Sequence, residues 1–199
     1  DLDVTTAKDD TKIQTSHLAL WKEQYLPTRD KGSQENNAVI LGWDAETSAS
    51  SSDMGVYELM LSANDASAFT TNSTLQFTLG AGNHEWLDIN LTEAQKEAKK
   101  DEDKREVPQL DFTIQLTDAS GHTSAIKINE IKGITKPLKT RFTKFKFLDK
   151  DMIGEDWEVQ LQTYHLPMQR FITANPEFAA KNVASIKFIF DQTDYGVVV

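Results

Sequence analysis

Residues 155–199 read EDWEVQLQTYHLPMQRFITANPEFAAKNVASIKFIFDQTDYGVVV, and this stretch decides the fold. In Ile186-Lys187-Phe188-Ile189-Phe190 apolar residues recur at every second position, which is the pattern of a strand with one well-buried face. The sequence therefore predicts a core strand here, then a turn at 191–196 and a further strand from Val197 to Val199.

An extended segment precedes this core strand. Val159, Leu161, Thr163 and His165 lie on one face of it and alternate with Gln160, Gln162 and Tyr164. We expect the face with the aliphatic residues to be apolar, with His165 as a structural residue. The segment ends at Leu166-Pro167, because proline lacks the donor that a strand ladder needs and disfavours helix at the residue before it.

The same alternation recurs through the rest of the chain. It is clear in residues 75–79 and 110–116, and shorter apolar runs bounded by turn residues occupy 38–43 and 56–61. Residues 118–122 form a hairpin-type turn into a strand at 123–128. About eight to ten strands separated by turns predict an all-β antiparallel sandwich, and strands do not alternate with long helices as they do in parallel α/β enzymes.

One segment departs from the strand pattern. Thr92 and Gln95 can form a capping box, and the residues that follow are strong helix formers. Because residues 96–105 contain only one apolar side chain, Ala98, no face of this helix can dock on a core. We therefore predict a single domain over residues 1–199 with a polar, helical insertion at about 91–107. The chain stops within a strand, so we expect a fragment of a larger protein.

The strand rhythm resembles a known class of domain. A strand ending in Leu-Pro, a loop with Phe171, Ile-x-Phe-x-Phe-Asp at 186–191 and Gly-Val-Val-Val at 196–199 resemble the end of the jelly-roll domains that are similar to galactose-binding and carbohydrate-binding modules. The segments 41–44, 57–59, 75–79 and 110–118 fit the earlier strands. The resemblance implies an accessory domain, without catalytic residues, of a secreted bacterial α/β-hydrolase or glycoside hydrolase.

The amino-acid composition limits the classes of partner that this protein is expected to bind. The formal net charge is −10, whereas nucleic-acid binding depends on clustered Lys and Arg, so neither nucleic acid nor an anionic membrane surface is expected as a partner. No apolar run approaches the length that spans a membrane. The absence of cysteine excludes thiol catalysis, thiolate metal sites and disulfides, and it favours a bacterial periplasmic, secreted or cell-surface location. A neutral glycan remains as a ligand.

Aromatic residues in polar surroundings are the candidate ligand contacts, since sugar rings stack on aromatic planes. Trp86 follows the polar loop that contains His84, and Trp157 lies beside acidic residues; Trp21 and Tyr25 flank a charged loop. Packing under the insertion is the alternative role for Trp86. Trp43 lies in an apolar run and is predicted to belong to the core.

A calcium ion is implied only by the resemblance. Jelly-roll binding modules often hold one structural Ca²⁺ between the first and last strands, and Asp1 and Asp3 occupy the matching end of the chain. The partner ligand expected after Val199 is not in the sequence.

Motifs for catalysis are missing from the sequence. It contains no Gly-x-Ser-x-Gly, no His-Glu-x-x-His and no phosphate-binding Gly-rich loop. Asn72-Ser73-Thr74 and Asn90-Leu91-Thr92 match the N-glycosylation pattern, and we interpret them as chance matches in a bacterial protein.

We therefore predict a carbohydrate-binding or accessory module that is not itself an enzyme. One alternative is a purely structural domain that packs against a catalytic domain of the same polypeptide. The other is a glycoside hydrolase in its own right, which needs two carboxyl groups facing each other across a cleft.

Overall fold

The structure is a computed structural model that describes residues 2–5, 12–26, 36–45, 54–83, 87, 108–139 and 157–199. In 2–5, 21–26, 36–37, 139 and 157 it describes the backbone alone.

Strands dominate these ranges. They are β1 (Leu2–Thr5), β2 (Lys12–Ser16), β3 (Leu20–Leu26), β4 (Asn36–Asp44), β5 (Gly55–Met60), β6 (Thr74–Leu79), β7 (Thr113–Asp118), β8 (Thr123–Lys127), β9 (Leu138–Lys139), β10 (Trp157–Glu158), β11 (Gln162–Pro167), β12 (Val183–Phe190) and β13 (Tyr195–Val198). The helical elements are α1 (Ala63–Ala68), a 3-10 helix (Ile128–Glu130) and α2 (Met168–Ala174).

The first layer of the fold is a six-stranded antiparallel sheet in the order β1-β2-β5-β12-β7-β8. The core strand predicted at Ile186–Phe190 lies within β12, which pairs with β5 on one side and β7 on the other. Its alternation arises because Ile186, Phe188 and Phe190 contact the core while Lys187 and Ile189 lie on the opposite face.

The second layer contains β13-β4-β3 and the pair β11-β6, again antiparallel. Residues 80–82, which directly follow β6, connect the pair β11-β6 to the sheet β13-β4-β3. Gly80 and Val199 exchange two backbone hydrogen bonds of 3.0 Å, Gly82 donates to the carbonyl of Val197 at 2.8 Å, and Ala81 forms a bridge with Val198. One ladder of hydrogen bonds therefore runs through the second layer.

The strand pairings are nested along the chain, so that each pair of strands encloses in sequence the pair before it. β7 pairs with β8, β6 with β11, β5 with β12, and β4 with β13. A long antiparallel hairpin folded over into two sheets, with β5-β12-β7-β8 in one and β4-β13-β6-β11 in the other, is a jelly roll. The predicted fold class, an antiparallel jelly-roll β-sandwich, is confirmed by this strand pairing.

The larger apolar core of the described residues lies between the two layers. It combines Leu41, Leu79 and Val198 from the second layer with residues of the first, such as Ile114 and Ile186. Trp43 is only 3% exposed and stacks on Phe190 with ring centroids 4.3 Å apart. Its indole nitrogen donates to the carbonyl of Thr193 at 2.9 Å. The prediction that Trp43 belongs to the core is confirmed.

The predicted burial of the segment before the core strand is wrong. In β11, Tyr164 and Leu166 are buried, whereas His165 is exposed and Leu161 is 46% exposed. Tyr164 stacks on Phe77 of the paired strand with ring centroids 5.5 Å apart. The large aromatic face, rather than the face with more aliphatic residues, therefore covers the core.

Two connections between strands contain short helices, and the one with Phe171 was predicted as a loop. α1 begins after Ser62, whose hydroxyl accepts a hydrogen bond from the backbone of Asp65 at 3.2 Å, so a side-chain cap initiates it. α2 follows Pro167 and buries Met168 and Phe171. The insertion predicted at about 91–107 lies outside the described residues.

Candidate functional site

Side chains on the outer face of the first layer form the best-described candidate surface. Strand alternation turns one residue in two away from the core, and on β2, β5, β12 and β7 these outward residues are mostly polar. The register aligns four of them directly across the four strands: Gln14 pairs with Glu58, Glu58 with Lys187, and Lys187 with Gln115. We call Gln14, Glu58, Lys187 and Gln115 the cross-strand row.

The two central members of the row bind each other. Nζ of Lys187 lies 3.3 Å from Oε2 of Glu58, and the two side chains are 31% and 17% exposed. The ion pair neutralises both charges and fixes the carboxylate and the ammonium group at the middle of the sheet. The centre of the row therefore offers hydrogen-bonding groups with no net charge.

The two outer members carry amides that are available to a ligand. Gln14 and Gln115 are partly exposed, and within the described part of the chain neither side chain forms a hydrogen bond. Strands lie ~4.8 Å apart, so the row extends about 14 Å from β2 to β7. An amide has two donor hydrogens and an acceptor oxygen, which suits the hydroxyl groups of a sugar.

Neighbouring positions add smaller groups to this face. Ile189 pairs with Val56 and Thr113 beside the row, and the hydroxyl of Thr113 donates to both carboxylate oxygens of Asp191, at 2.9 and 3.1 Å. Asp191 directly follows β12, and this hydrogen bond holds its carboxylate beside β7.

The outer face of the second layer is different. Towards β11 it is open and polar: Thr78 and Thr163 have hydroxyl oxygens 3.1 Å apart, and Gln76 pairs in register with His165. Towards β4 and β13 it carries a small buried apolar cluster of Leu20, Ile40, Leu87, Val197 and Val199.

Residues that are not part of the second layer pack against two glycines on its outer face. A methyl group built on Gly42 would approach a methyl carbon of Leu87 to 2.6 Å, and one on Gly80 would approach Val159 and the Gln160 carbonyl to 2.7 Å. Leu87 and the segment at 159–160 therefore cover part of this face directly.

The structure describes the predicted ligand residues only in part. Trp86 and His84 lie outside the described residues, and Trp86 directly precedes Leu87. Trp157 begins β10 opposite Lys139, two residues before Val159. Trp21 and Tyr25 are in β3, paired with Leu41 and Asn37. Their roles in binding stay predictions.

Of the two predicted calcium ligands, the structure describes only the backbone of Asp3. Asp1 lies outside the described residues, and Asp3 pairs with Gln14 at the end of the cross-strand row. Within the described ranges, no group of three or more His, Asp or Glu residues could hold a metal ion. The calcium site stays a prediction.

Sequence analysis did not identify the cross-strand row. Polar residues at alternate positions of a strand predict an outward face, but they do not specify which residue of another strand lies beside them. Gln14 and Gln115 are 101 residues apart, and only the register of β2, β5, β12 and β7 aligns them.

Comparison with known proteins gave two similar solved structures. One is a family 30 carbohydrate-binding module, 13% identical, with a TM-score of 0.47 over 99% of this chain and 83% of that one. The other is the family 30 carbohydrate-binding module of a cellulosomal cellulase of Clostridium thermocellum, 12% identical, with a TM-score of 0.42 over 99% of this chain and 92% of that one. The fold assignment rests on the strand pairing described above rather than on these similarities.

Neither protein-family models nor curated protein sequences gave a match. Among the helices that the structure describes, none is both long enough and apolar enough to cross a membrane.

Proposed function

We propose that this chain is a carbohydrate-binding module without catalytic activity, and that it binds a neutral glycan along the cross-strand row. The observation that carries the proposal is the alignment, across four adjacent strands, of an ion pair between two amides that have no hydrogen-bond partner among the described residues. Groups that donate and accept hydrogen bonds without net charge match the hydroxyl groups of a neutral sugar chain.

The proposed role includes the context predicted from the sequence. The module would belong to a secreted, periplasmic or cell-surface bacterial enzyme and would hold its catalytic domain near a polysaccharide.

The test is a glycan-array or affinity-electrophoresis screen of the purified chain, followed by titration of single variants. We expect Gln115→Ala and Gln14→Ala each to weaken binding about three- to tenfold, since a hydrogen bond contributes ~0.5–1.5 kcal/mol. Gln76→Ala is the matched control, because it removes the same amide from the exposed face of β6.

The same titration separates the row from the predicted aromatic site. If Trp86→Ala or Trp157→Ala abolishes binding while Gln14→Ala and Gln115→Ala do not, the row is not the site.

Performing the screen with calcium and with a chelator tests the proposed metal at Asp1 and Asp3.

A folded protein that binds neither neutral nor acidic glycans would contradict the proposal. It would favour the alternative of a structural domain that packs against a catalytic domain.

A further inference from the structure

The ion pair at the centre of the cross-strand row has hydrogen-bonding capacity that the protein itself does not use. Oε2 of Glu58 lies 3.3 Å from Nζ of Lys187, and within the described part of the chain neither side chain has another partner. A carboxylate has two acceptor oxygens, and an ammonium group has three donor hydrogens. Oε1 of Glu58 and two hydrogens of Lys187 are therefore available to a ligand.

Aliphatic side chains lie beside the ion pair on the same face of the sheet. Val56 and Met60 are two positions before and after Glu58 on β5, and Val56 pairs with Ile189 of β12. These three side chains do not belong to the described apolar clusters, and Met60 is 38% exposed. Apolar neighbours limit the access of water to an ion pair, which strengthens its hydrogen bonds to a ligand.

The ion pair presents an acceptor and a donor side by side, which suits two adjacent hydroxyl groups. One hydroxyl can donate to the carboxylate of Glu58 while its neighbour accepts from Nζ of Lys187. Oxygens on adjacent carbons of a sugar ring are about as far apart as Nζ and Oε2. Because both hydrogen bonds involve a charged group, they are stronger than those of a neutral amide. A sugar with only isolated hydroxyls can form only one of them.

The same arrangement disfavours an acidic sugar. A ligand carboxylate could bind Nζ of Lys187 only by lying close to the carboxylate of Glu58, and like charges at one site repel each other. A neutral hydroxyl meets no such repulsion. Specificity of this kind arises from an unfavourable contact with the wrong ligand as well as from a favourable contact with the right one.

We infer that Glu58 and Lys187 determine the specificity of the cross-strand row. They select neutral polysaccharides with free hydroxyls on adjacent ring carbons, and they discriminate against acidic polysaccharides and against those without adjacent hydroxyls. Gln14 and Gln115 add affinity with little selectivity, since an amide both donates and accepts. This inference rests on the proposed glycan-binding function and names the chemical feature of the glycan that the site recognises.

Affinity electrophoresis of the purified chain in three polymers tests this inference. The first is a glucan linked through O4, which keeps free hydroxyls at O2 and O3 on adjacent carbons. The second is a glucan of the same anomeric configuration linked through O3, which keeps no adjacent hydroxyls within the chain. The third is polygalacturonate, which is linked through O4 and keeps O2 and O3 free but carries carboxylates. We expect the first to bind about tenfold or more tighter than either of the others.

Two variants separate the roles of the charged groups. Lys187→Met removes the donor and should weaken binding to the O4-linked glucan about tenfold or more. Glu58→Gln releases Lys187 from its ion pair and removes the repulsion, so this variant should bind polygalacturonate about tenfold more tightly than the unmodified protein does.

Lys127→Met and Glu177→Gln are the matched controls, because they change the net charge by the same amounts. Lys127 is exposed on β8 at the edge of the same sheet, and Glu177 is exposed in the connection between α2 and β12. Both controls should bind the three polymers as the unmodified protein does.

Equal binding of the two glucans, a comparison that needs no variant, would overturn the inference and leave the glycan-binding function in place. An unchanged preference among the polymers in Lys187→Met and Glu58→Gln, each with the circular dichroism spectrum of the unmodified protein, would do the same. A protein that binds no glycan in the wider screen would instead contradict the proposed function, and this inference with it.

Discussion

Asp118, the last residue of β7, shows how one carboxylate can connect three pieces of chain. It is 2% exposed, and its Oδ1 accepts hydrogen bonds from the backbone of Ser120 and of His122, both at 2.9 Å. Its Oδ2 accepts one from the backbone of Ala179 at 3.0 Å and lies 3.2 Å from Nδ1 of His122. The side chain thereby ties the β7–β8 turn to the segment before β12.

This environment changes the acidity of Asp118. Burial by itself would raise the pKa, but the hydrogen bonds from Ala179, His122 and Ser120 favour the carboxylate, and the pKa lies below its ordinary value of 3.8. A carboxyl group with a lowered pKa in the folded state stabilises the fold above the pKa of the unfolded chain. That contribution is lost as the pH falls through the folded-state pKa.

We therefore expect Asp118→Asn to lower the free energy of unfolding at pH 7 by about 1–3 kcal/mol, because the amide hydrogens would face backbone donors. The difference from the unmodified protein should shrink as the pH falls from about 4, where the carboxyl group of the unfolded chain becomes protonated, through the lower pKa of the folded state. Urea denaturation at several pH values measures both effects.

Asp191→Asn is the control for this prediction. Asp191 is exposed and, among the described residues, accepts a hydrogen bond only from the hydroxyl of Thr113, so its substitution should change stability by less than about 0.5 kcal/mol. A difference between Asp118→Asn and the unmodified protein that stayed constant down to pH 3 would show that the carboxylate charge does not matter.

At the scale of elements, the close packing of β13 on β4 depends on a missing side chain. Gly196 pairs with Trp43, and a methyl group at Gly196 would approach the indole ring of Trp43 and a methyl carbon of Leu110 to 2.5 Å. The indole cannot retreat easily, because it stacks on Phe190 and donates to Thr193. The glycine therefore makes room for the tryptophan between the layers.

Gly196→Ala is expected to destabilise the protein by about 1–3 kcal/mol through overpacking. Gly133→Ala is the matched control, because the nearest atoms to its added methyl group would be 3.6 and 3.8 Å away, which is ordinary contact. Thermal denaturation of the two variants should show a lower melting temperature only for Gly196→Ala. Equal melting temperatures would mean that the indole shifts at little cost.

At the scale of the whole molecule, the two sheets present chemically different outer faces. The first presents the cross-strand row, in which Glu58 and Lys187 neutralise each other, and the second combines an apolar, partly covered region with an open polar one. The chain as a whole carries a formal charge of −10. A neutral glycan that binds to the row would not be attracted by this net charge.

This leads to a prediction about salt. Because salt screens interactions between charges and a neutral glycan carries none, raising NaCl from about 0.05 to about 0.5 M should change the dissociation constant less than about twofold. Titration calorimetry across this range measures it. An affinity that fell steeply with salt would instead identify an anionic ligand bound through Lys187.

Much of the fold could be predicted from the sequence. Alternation in 75–79, 110–116 and 186–190 correctly indicated strands, because a strand with one buried face must alternate. Pro167 correctly marked the end of β11. The same reasoning chose the wrong face of β11, since Leu161 and Val159 looked more apolar locally than Tyr164, and the partner Phe77 lies 87 residues earlier in the chain.

The sequence by itself determined the all-β class, the buried position of Trp43 and the absence of thiol chemistry, because these depend on local period and composition. Only the tertiary structure decided the nested pairing of the strands and the cross-strand row. Both depend on which distant strand lies beside which, and that choice is made by packing of the whole core rather than by any local run of residues.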